Sequence, residues 1–183
     1  AYEWIKIYLK NSKLNNEEWL PLVDPEGKIT GKAPRSLVHN GSKMLHPVVH
    51  LHIINSRKEI YLQKRPVNKQ VQPGKWDTSV GGHVSFGESL EQAMLRETRE
   101  EAGIKYFSPV LIKKYLWESE IEHELVFSFI TLYEGELNPD PNEVDEGRFW
   151  SMREIEKSMG INIFTPNFEH EYPFVKEFLK NLR

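Results

Sequence analysis

The stretch from Gly82 to Ile104, GHVSFGESLEQAMLRETREEAGI, constrains this chain more than any other. It opens on a glycine loop and runs into a segment loaded with carboxylates. Glu97, Glu100 and Glu101 stand at i, i+3 and i+4, so a helix gathers them on one side. Like charges at that spacing repel and weaken a helix, unless a cation sits between them. Every ligand in the set is an oxygen, which suits Mg²⁺ or Mn²⁺ better than zinc. Arg96 lies four residues before Glu100 and can hold it in place. Gly103 accepts the left-handed conformation that ends helices, so a helix from about Ser89 to Ala102 is predicted. A solvated acidic helix with internal salt bridges is the plainer reading, but it explains neither the Gly82 loop nor Glu88.

The rest of the chain supplies a sheet for this helix. Trp19 to Asp24 and Ile29 to Ala33 form a predicted hairpin around the turn Pro25-Glu26-Gly27-Lys28. In HPVVHLHIIN, from His46 to Asn55, strand alternation puts His46, Val48, His50 and His52 on one face and Val49, Leu51 and Ile53 on the other. Ile60 to Lys64 is its predicted partner strand. Arg65 to Trp76 is a polar loop carrying Arg65, Lys69 and Lys75, and a short strand from Thr78 to Val84 feeds the glycine loop. Two strands follow, in Lys105 to Trp117 and Glu122 to Tyr133. Glu122 and Glu124 fall on one face of the second. A last strand, Gly147 to Ser151, precedes a short helix capped by Ser151. Phe168, Tyr172, Val175, Phe178, Leu179 and Leu182 mark a terminal amphipathic helix whose stripe reads as core. Strands on both sides of a central helix, with another helix at the end, indicate an α/β/α sandwich around a mixed β-sheet. Residues 1–18 read as an N-terminal extension, with WIKIYL either helix or strand, and residues 19–183 as one domain.

Composition narrows the partners. At 183 residues with net charge −3, the chain is long enough for one sizeable core and carries no overall basic field for duplex nucleic acid. It has no cysteine, which excludes disulfides and thiolate chemistry and makes the cytoplasm the default expectation. No segment approaches the ~18 apolar residues of a membrane span, and the first residues lack a signal-peptide core.

The Gly82–Ile104 stretch resembles the Nudix box, Gx5Ex7REUxEExGU, where U is a bulky apolar residue. Gly82, Glu88, Arg96, Glu97, Glu100, Glu101, Gly103 and Ile104 fall on it, and Thr98 stands where an apolar residue is usual. The resemblance implies the Nudix fold and a divalent ion held by Glu97, Glu100, Glu101 and the Gly82 carbonyl. It also implies catalysis by Glu97, as base as well as ligand, and by Glu101. Glu88 then either orients Arg96 or stabilises the helix start as an N-terminal acid.

A closer resemblance links LVDPEGKITGKAPRSLVHN, MLHPVVHLHIIN, LQKRPVNK, PGKWDTSVGGHV and IEHELVF to the type I isopentenyl-diphosphate isomerases and related hydrolases. It implies a second metal site at His39, His46, His83, Glu122 and Glu124, for Mn²⁺ or Zn²⁺. Arg35, Arg65 and Lys69 match positions that grip the diphosphate, and Trp150 matches a tryptophan lining the site. Trp76, Trp117 and Trp150 can equally be core. The isomerases' catalytic cysteine is replaced by Gly81, and their active-site tyrosine falls near Trp117, whereas the box, degraded in the isomerases, is intact here. The expected function is therefore divalent-metal-dependent hydrolysis of a diphosphate linkage in a small molecule, by a monomer or homodimer. The alternatives are an isomerase with another proton donor, or a module that binds a diphosphate without turnover.

Overall fold

The computed structural model describes residues 17–182, so of the expected extension at residues 1–18 only Glu17 and Glu18 are among the described residues. Strands β1 (Trp19–Val23) and β2 (Ile29–Pro34) form an antiparallel hairpin, followed at once by the short helix α1 (Arg35–Val38). Leu20, Leu22, Ala33, Leu37 and Val38 pack as a small core of their own.

The main sheet is mixed, as the sequence indicates, and has seven strands. It comprises β3 (Leu45–Ile54), β4 (Ile60–Lys64), β5 (Trp76–Asp77), β6 (Val80–His83), β7 (Val110–Glu118), β8 (His123–Leu132) and β9 (Glu146–Trp150). β3 runs parallel to β8 along its whole length, Leu45 opposite His123 through Ile54 opposite Leu132. Antiparallel to β3 lies β6, with Val48 opposite His83 and His50 opposite Gly81. β7 pairs β8, and β4 pairs β3, β5 and β9.

Helices cover both faces. α2 (Leu90–Ala102) starts on a capping box in which Ser89 and Gln92 satisfy each other's backbone amides. It ends on Gly103 at φ 71°, where a side chain would also press on the Asn138 carbonyl at 2.8 Å. Its Ala93, Met94 and Ala102 pack on Val49, Leu51, Ile53 and Val80. α3 (Met152–Ser158) and α4 (Pro166–Asn181) are capped by Ser151 and Thr165. Phe168, Tyr172, Val175 and Leu179 of α4 join Ile54, Ile60, Leu62 and Ile130 in the opposite core. The expected terminal stripe is therefore core, with Phe178 and Leu182 at its margin. Among the described residues no helix is long and apolar enough to cross a membrane.

Two expectations needed revision. Residues 105–109 are not strand, and β7 begins only at Val110. The Arg65 to Trp76 loop also ends in a short strand at Trp76, and backbone hydrogen bonds from Arg65 N–H to Lys75 O and from Gly74 N–H to Arg65 O close its base. Arg65 Nε adds a bond to Val71 O at 3.1 Å.

Candidate active site and metal centre

Glu97 and Glu101, one helical turn apart on α2, reach the open edge of β6. Glu101 Oε2 accepts from the Gly81 amide at 3.1 Å and from Gln63 Nε2 at 2.9 Å. Gln63 is a contributor the sequence gave no sign of. Gly82 is glycine for a steric reason, since a Cβ there would overlap the Glu97 carboxylate. Arg96 is the hub of the box. It forks onto both Glu88 oxygens at 2.9 and 3.0 Å, donates to Glu97 Oε1 at 2.7 Å and to His83 O at 3.0 Å, and stands 3.6 Å from Glu100. Glu88 also accepts from the Ser85 amide. Glu100 points outward, its side chain 57 % exposed.

Burial sets the charge of this pair. It pushes the Glu101 carboxyl up to about 8, against its own hydrogen bonds, and raises Glu97 despite Arg96. By contrast, the Arg96 fork holds Glu88 below the usual range. The two inward carboxylates thus lack enough protein cation to balance them, a donor set that fits a hard divalent ion with oxygen ligands.

The second set gathers from four places in the chain. His39 caps the end of α1, His46 is near the start of β3, His83 ends β6, and Glu124 lies near the start of β8. One ring nitrogen from each of His39, His46 and His83 lies within 4.8 Å of the others. Donors around one ion span up to about 4 Å, so a small closure brings the three onto one metal. His46 Nδ1 donates to Met44 O at 2.9 Å, which leaves Nε2 as a lone pair facing Glu124 Oε1 at 3.9 Å. His39 Nδ1 meets Glu122 Oε1 at 2.7 Å. Both Nε2 atoms are buried without a hydrogen-bond partner. Burial lowers His46 to about 4. It also takes His83 well below its ordinary value, helped by the charges of His46 and His39, so both rings are neutral as ligands must be. Burial and the neighbouring Glu122 raise Glu124 to about 7. Glu122 lies in the turn before β8, not on the strand, and its contact with His39 Nδ1 is one that would orient the imidazole if its other nitrogen held an ion.

The substrate-side residues are more dispersed. Arg35 pairs with Glu18 at 3.1 Å, Arg65 with Asp77 at 3.0 Å and Lys69 with Glu143 at 3.4 Å. The charge of Arg35 is felt at His83 and that of Arg65 at Glu122, so these two border the cluster. Trp150, which the sequence allowed as either site lining or core, is buried in the α4-side core, edge-on to Trp76 and Phe164, with the Arg148 guanidinium 3.6 Å over its ring. It lies in β9, opposite Ile60. Trp117 stacks near His170. Glu18, which sequence reasoning left in the extension, accepts from Ser85 Oγ at 2.7 Å and helps raise Glu97.

Comparison with known proteins identifies the family. The profile of the NUDIX domain matches residues 44–171. An isopentenyl-diphosphate Delta-isomerase 1 of Photorhabdus laumondii is 28% identical over 159 residues, covering 82% of this chain and 90% of the relative. An isopentenyl-diphosphate Delta-isomerase of Corynebacterium efficiens is 32% identical over 143 residues, 72% of this chain and 75% of the relative. A crystal structure of a Deinococcus radiodurans protein superposes with a TM-score of 0.73 at 20% identity, over 87% of this chain and 98% of that one. The chain therefore belongs to the NUDIX family, as a member similar to the isopentenyl-diphosphate isomerases.

Proposed function

We propose that the protein is a divalent-metal-dependent hydrolase of a diphosphate linkage, in a nucleoside diphosphate derivative or a related organic diphosphate. The observation that carries this is the convergence of Glu97 and Glu101 on Gly81 and Gly82, with burial raising both carboxyls. Glu97, Glu100, Glu101 and the Gly82 carbonyl would hold Mg²⁺ or Mn²⁺. The ion would neutralise the diphosphate and acidify a bound water. Glu97, aligned by Arg96, would accept the proton of the attacking water. Glu88 fixes Arg96, while Arg35, Arg65 and Lys69 offer cations to the outer phosphoryl oxygens once they exchange their carboxylate partners.

Isomerisation of isopentenyl diphosphate is the second reading. The relatives carry that name, and the His39, His46, His83, Glu122 and Glu124 grouping would hold Mn²⁺ or Zn²⁺ as the resemblance implies. Gly81 offers no side chain for moving a proton, but the names of the relatives keep this reading in play. A ³¹P and ¹H NMR time course with isopentenyl diphosphate and a panel of nucleoside diphosphate derivatives separates the two. New phosphate resonances are expected. An allylic product with its diphosphate intact would establish the isomerase instead, and no change in either nucleus would leave a binding module.

The histidine centre has its own test. Glu122→Gln is expected to weaken Mn²⁺ or Zn²⁺ binding ~10- to 100-fold, as loss of a group orienting a ligand does, and His46→Ala by more. Isothermal titration reads both. Unchanged affinity in His46→Ala would place the ion elsewhere.

A further inference from the structure

Among the described residues, two side chains hydrogen-bond to the inward carboxylates of the box: Arg96 to Glu97 and Gln63 to Glu101. The first carries a charge and the second does not. Gln63 owes its place to strand alternation. On β4, Tyr61 lies in the α2-side core and Leu62 in the α4-side core, so Gln63 returns to the α2 side. β4 is bonded to β3, β5 and β9, which fixes the base of the Gln63 side chain.

Glu101 is tethered by one oxygen only. Its Oε2 accepts from Gln63 Nε2 at 2.9 Å and from the Gly81 amide at 3.1 Å, and among the described residues nothing donates to Oε1. Glu171, on α4, shows the contrasting case of a carboxylate that serves packing. It is fully buried, and both its oxygens are taken, Oε1 by His50 Nδ1 at 2.8 Å and Oε2 by His52 Nε2 at 2.6 Å. Satisfying a buried carboxylate accounts for Glu171. It does not account for two donors converging on one oxygen of Glu101 while the other stays uncommitted.

The last torsion of a glutamate is broad and roughly two-fold, so an untethered carboxylate turns easily and offers either oxygen. Two donors on Oε2 remove that freedom. Neutrality matters as much as direction. The charges of Glu97 and Asp77 are felt at Glu101, and an amide holds the carboxylate among them without cancelling the charge a cation needs. A lysine at position 63 would also donate, but it would compete with the ion for that charge.

We infer that Gln63 is a positioning residue of the box: with the Gly81 amide it pins Glu101 Oε2, and so presents Oε1, at full charge, as the ligand oxygen for the divalent ion. The inference rests on the reading of the box as a divalent-metal site.

The test is isothermal titration of the full chain with Mg²⁺, without substrate, in wild type, Gln63→Met, Gln63→Lys and Glu101→Gln. Methionine is close to glutamine in length and has no donor. Gln63→Met is expected to weaken Mg²⁺ binding ~10- to 100-fold, as loss of a group orienting a ligand does. Gln63→Lys keeps a donor but adds a charge, and is expected to weaken binding at least as much. Melting curves without Mg²⁺ separate the roles, because a merely structural glutamine would lower the melting temperature of Gln63→Met and leave its Mg²⁺ affinity in place. Wild-type affinity in Gln63→Met overturns the inference. Should that variant not fold, wild-type affinity in Gln63→Lys overturns it instead. The reading beneath fails separately. If Glu101→Gln binds Mg²⁺ as tightly as wild type, the ion lies outside the box and the inference goes with it. If Glu101→Gln loses the ion while Gln63→Met keeps it, the metal site stands and only Gln63 is removed. If Gln63→Met binds weakly and no diphosphate of the panel is hydrolysed, the positioning role stands without the hydrolase.

Discussion

Glu101→Gln is expected to cut turnover of the best diphosphate substrate on the order of 10²-fold or more, the scale of losing a carboxylate that holds an ion or moves a proton. The same change is expected to make the metal-free protein more stable above neutrality, not less. In the unfolded chain this carboxyl ionises near its ordinary 4.5, whereas burial keeps it protonated in the fold until about 8. Folding is therefore opposed increasingly as pH rises from 4.5 to 8, and glutamine removes that opposition. Glu97→Gln should behave alike in activity, since its carboxyl is also raised by burial. Mg²⁺ is expected to raise the melting temperature of the wild-type chain, by binding the folded form alone, and to do so far less in Glu101→Gln. Steady-state rates and melting curves with and without Mg²⁺ read both effects. Wild-type rates in both variants would remove the box from catalysis.

The largest expected loss of stability lies on the other face of the sheet. Glu171→Ala strips the partner from a buried, protonated His50 and leaves His52 without its acceptor. Breaking such a pair costs about 3–5 kcal/mol, which for a chain of this size lowers the melting temperature by on the order of 10 °C. The pH dependence has a definite sign. The folded-state pKa of His50 lies at about 9, above the ordinary 6.5. Its contribution is thus complete below 6.5 and disappears as pH rises through 9. The stability difference between wild type and His50→Gln is expected to shrink over that window, as measured by chemical denaturation at several pH values. A constant difference from pH 6 to 10 would show that His50 does not carry the charge.

The box helix was legible because each signal agreed: Ser89 near one end, Gly103 at the other, and carboxylates spaced to share a face. β3 was legible through its alternation, which placed His50 and His52 opposite the apolar set. Glu171 was not singled out, although the cue is present. It follows Phe168 by three residues and precedes Tyr172 and Val175 by one and four, so a charge sits on the apolar stripe itself. Taken with two histidines inside a strand covered on both faces, it announces a buried ion pair. Gln63 and Glu18 left no such trace, because their contacts with Glu101 and Ser85 arise from strand pairing and hairpin placement. Trp150 and Arg65 were carried over by resemblance, as a site-lining residue that could equally be core and as a diphosphate-gripping position, and neither placement could be read from the sequence. Packing put Trp150 among Trp76 and Phe164, and Arg65 spends its donors on Asp77 and Val71.

The parallel pairing of β3 with β8 does more than seat a strand. Along β3 the odd-numbered positions 49, 51 and 53 face α2, and the even-numbered positions carry His46, His50 and His52 to the other side. A slip by one residue would turn three imidazoles into the oily layer beneath Met94 and hand valine, leucine and isoleucine to Glu171 and Glu124. Alignment of this strand is consequently specified twice, once by exclusion of water and once by charge. A misaligned chain could keep its secondary structure yet would lose the approach of His46 to His39 and His83, so correct threading and the assembly of that cluster are decided in one event.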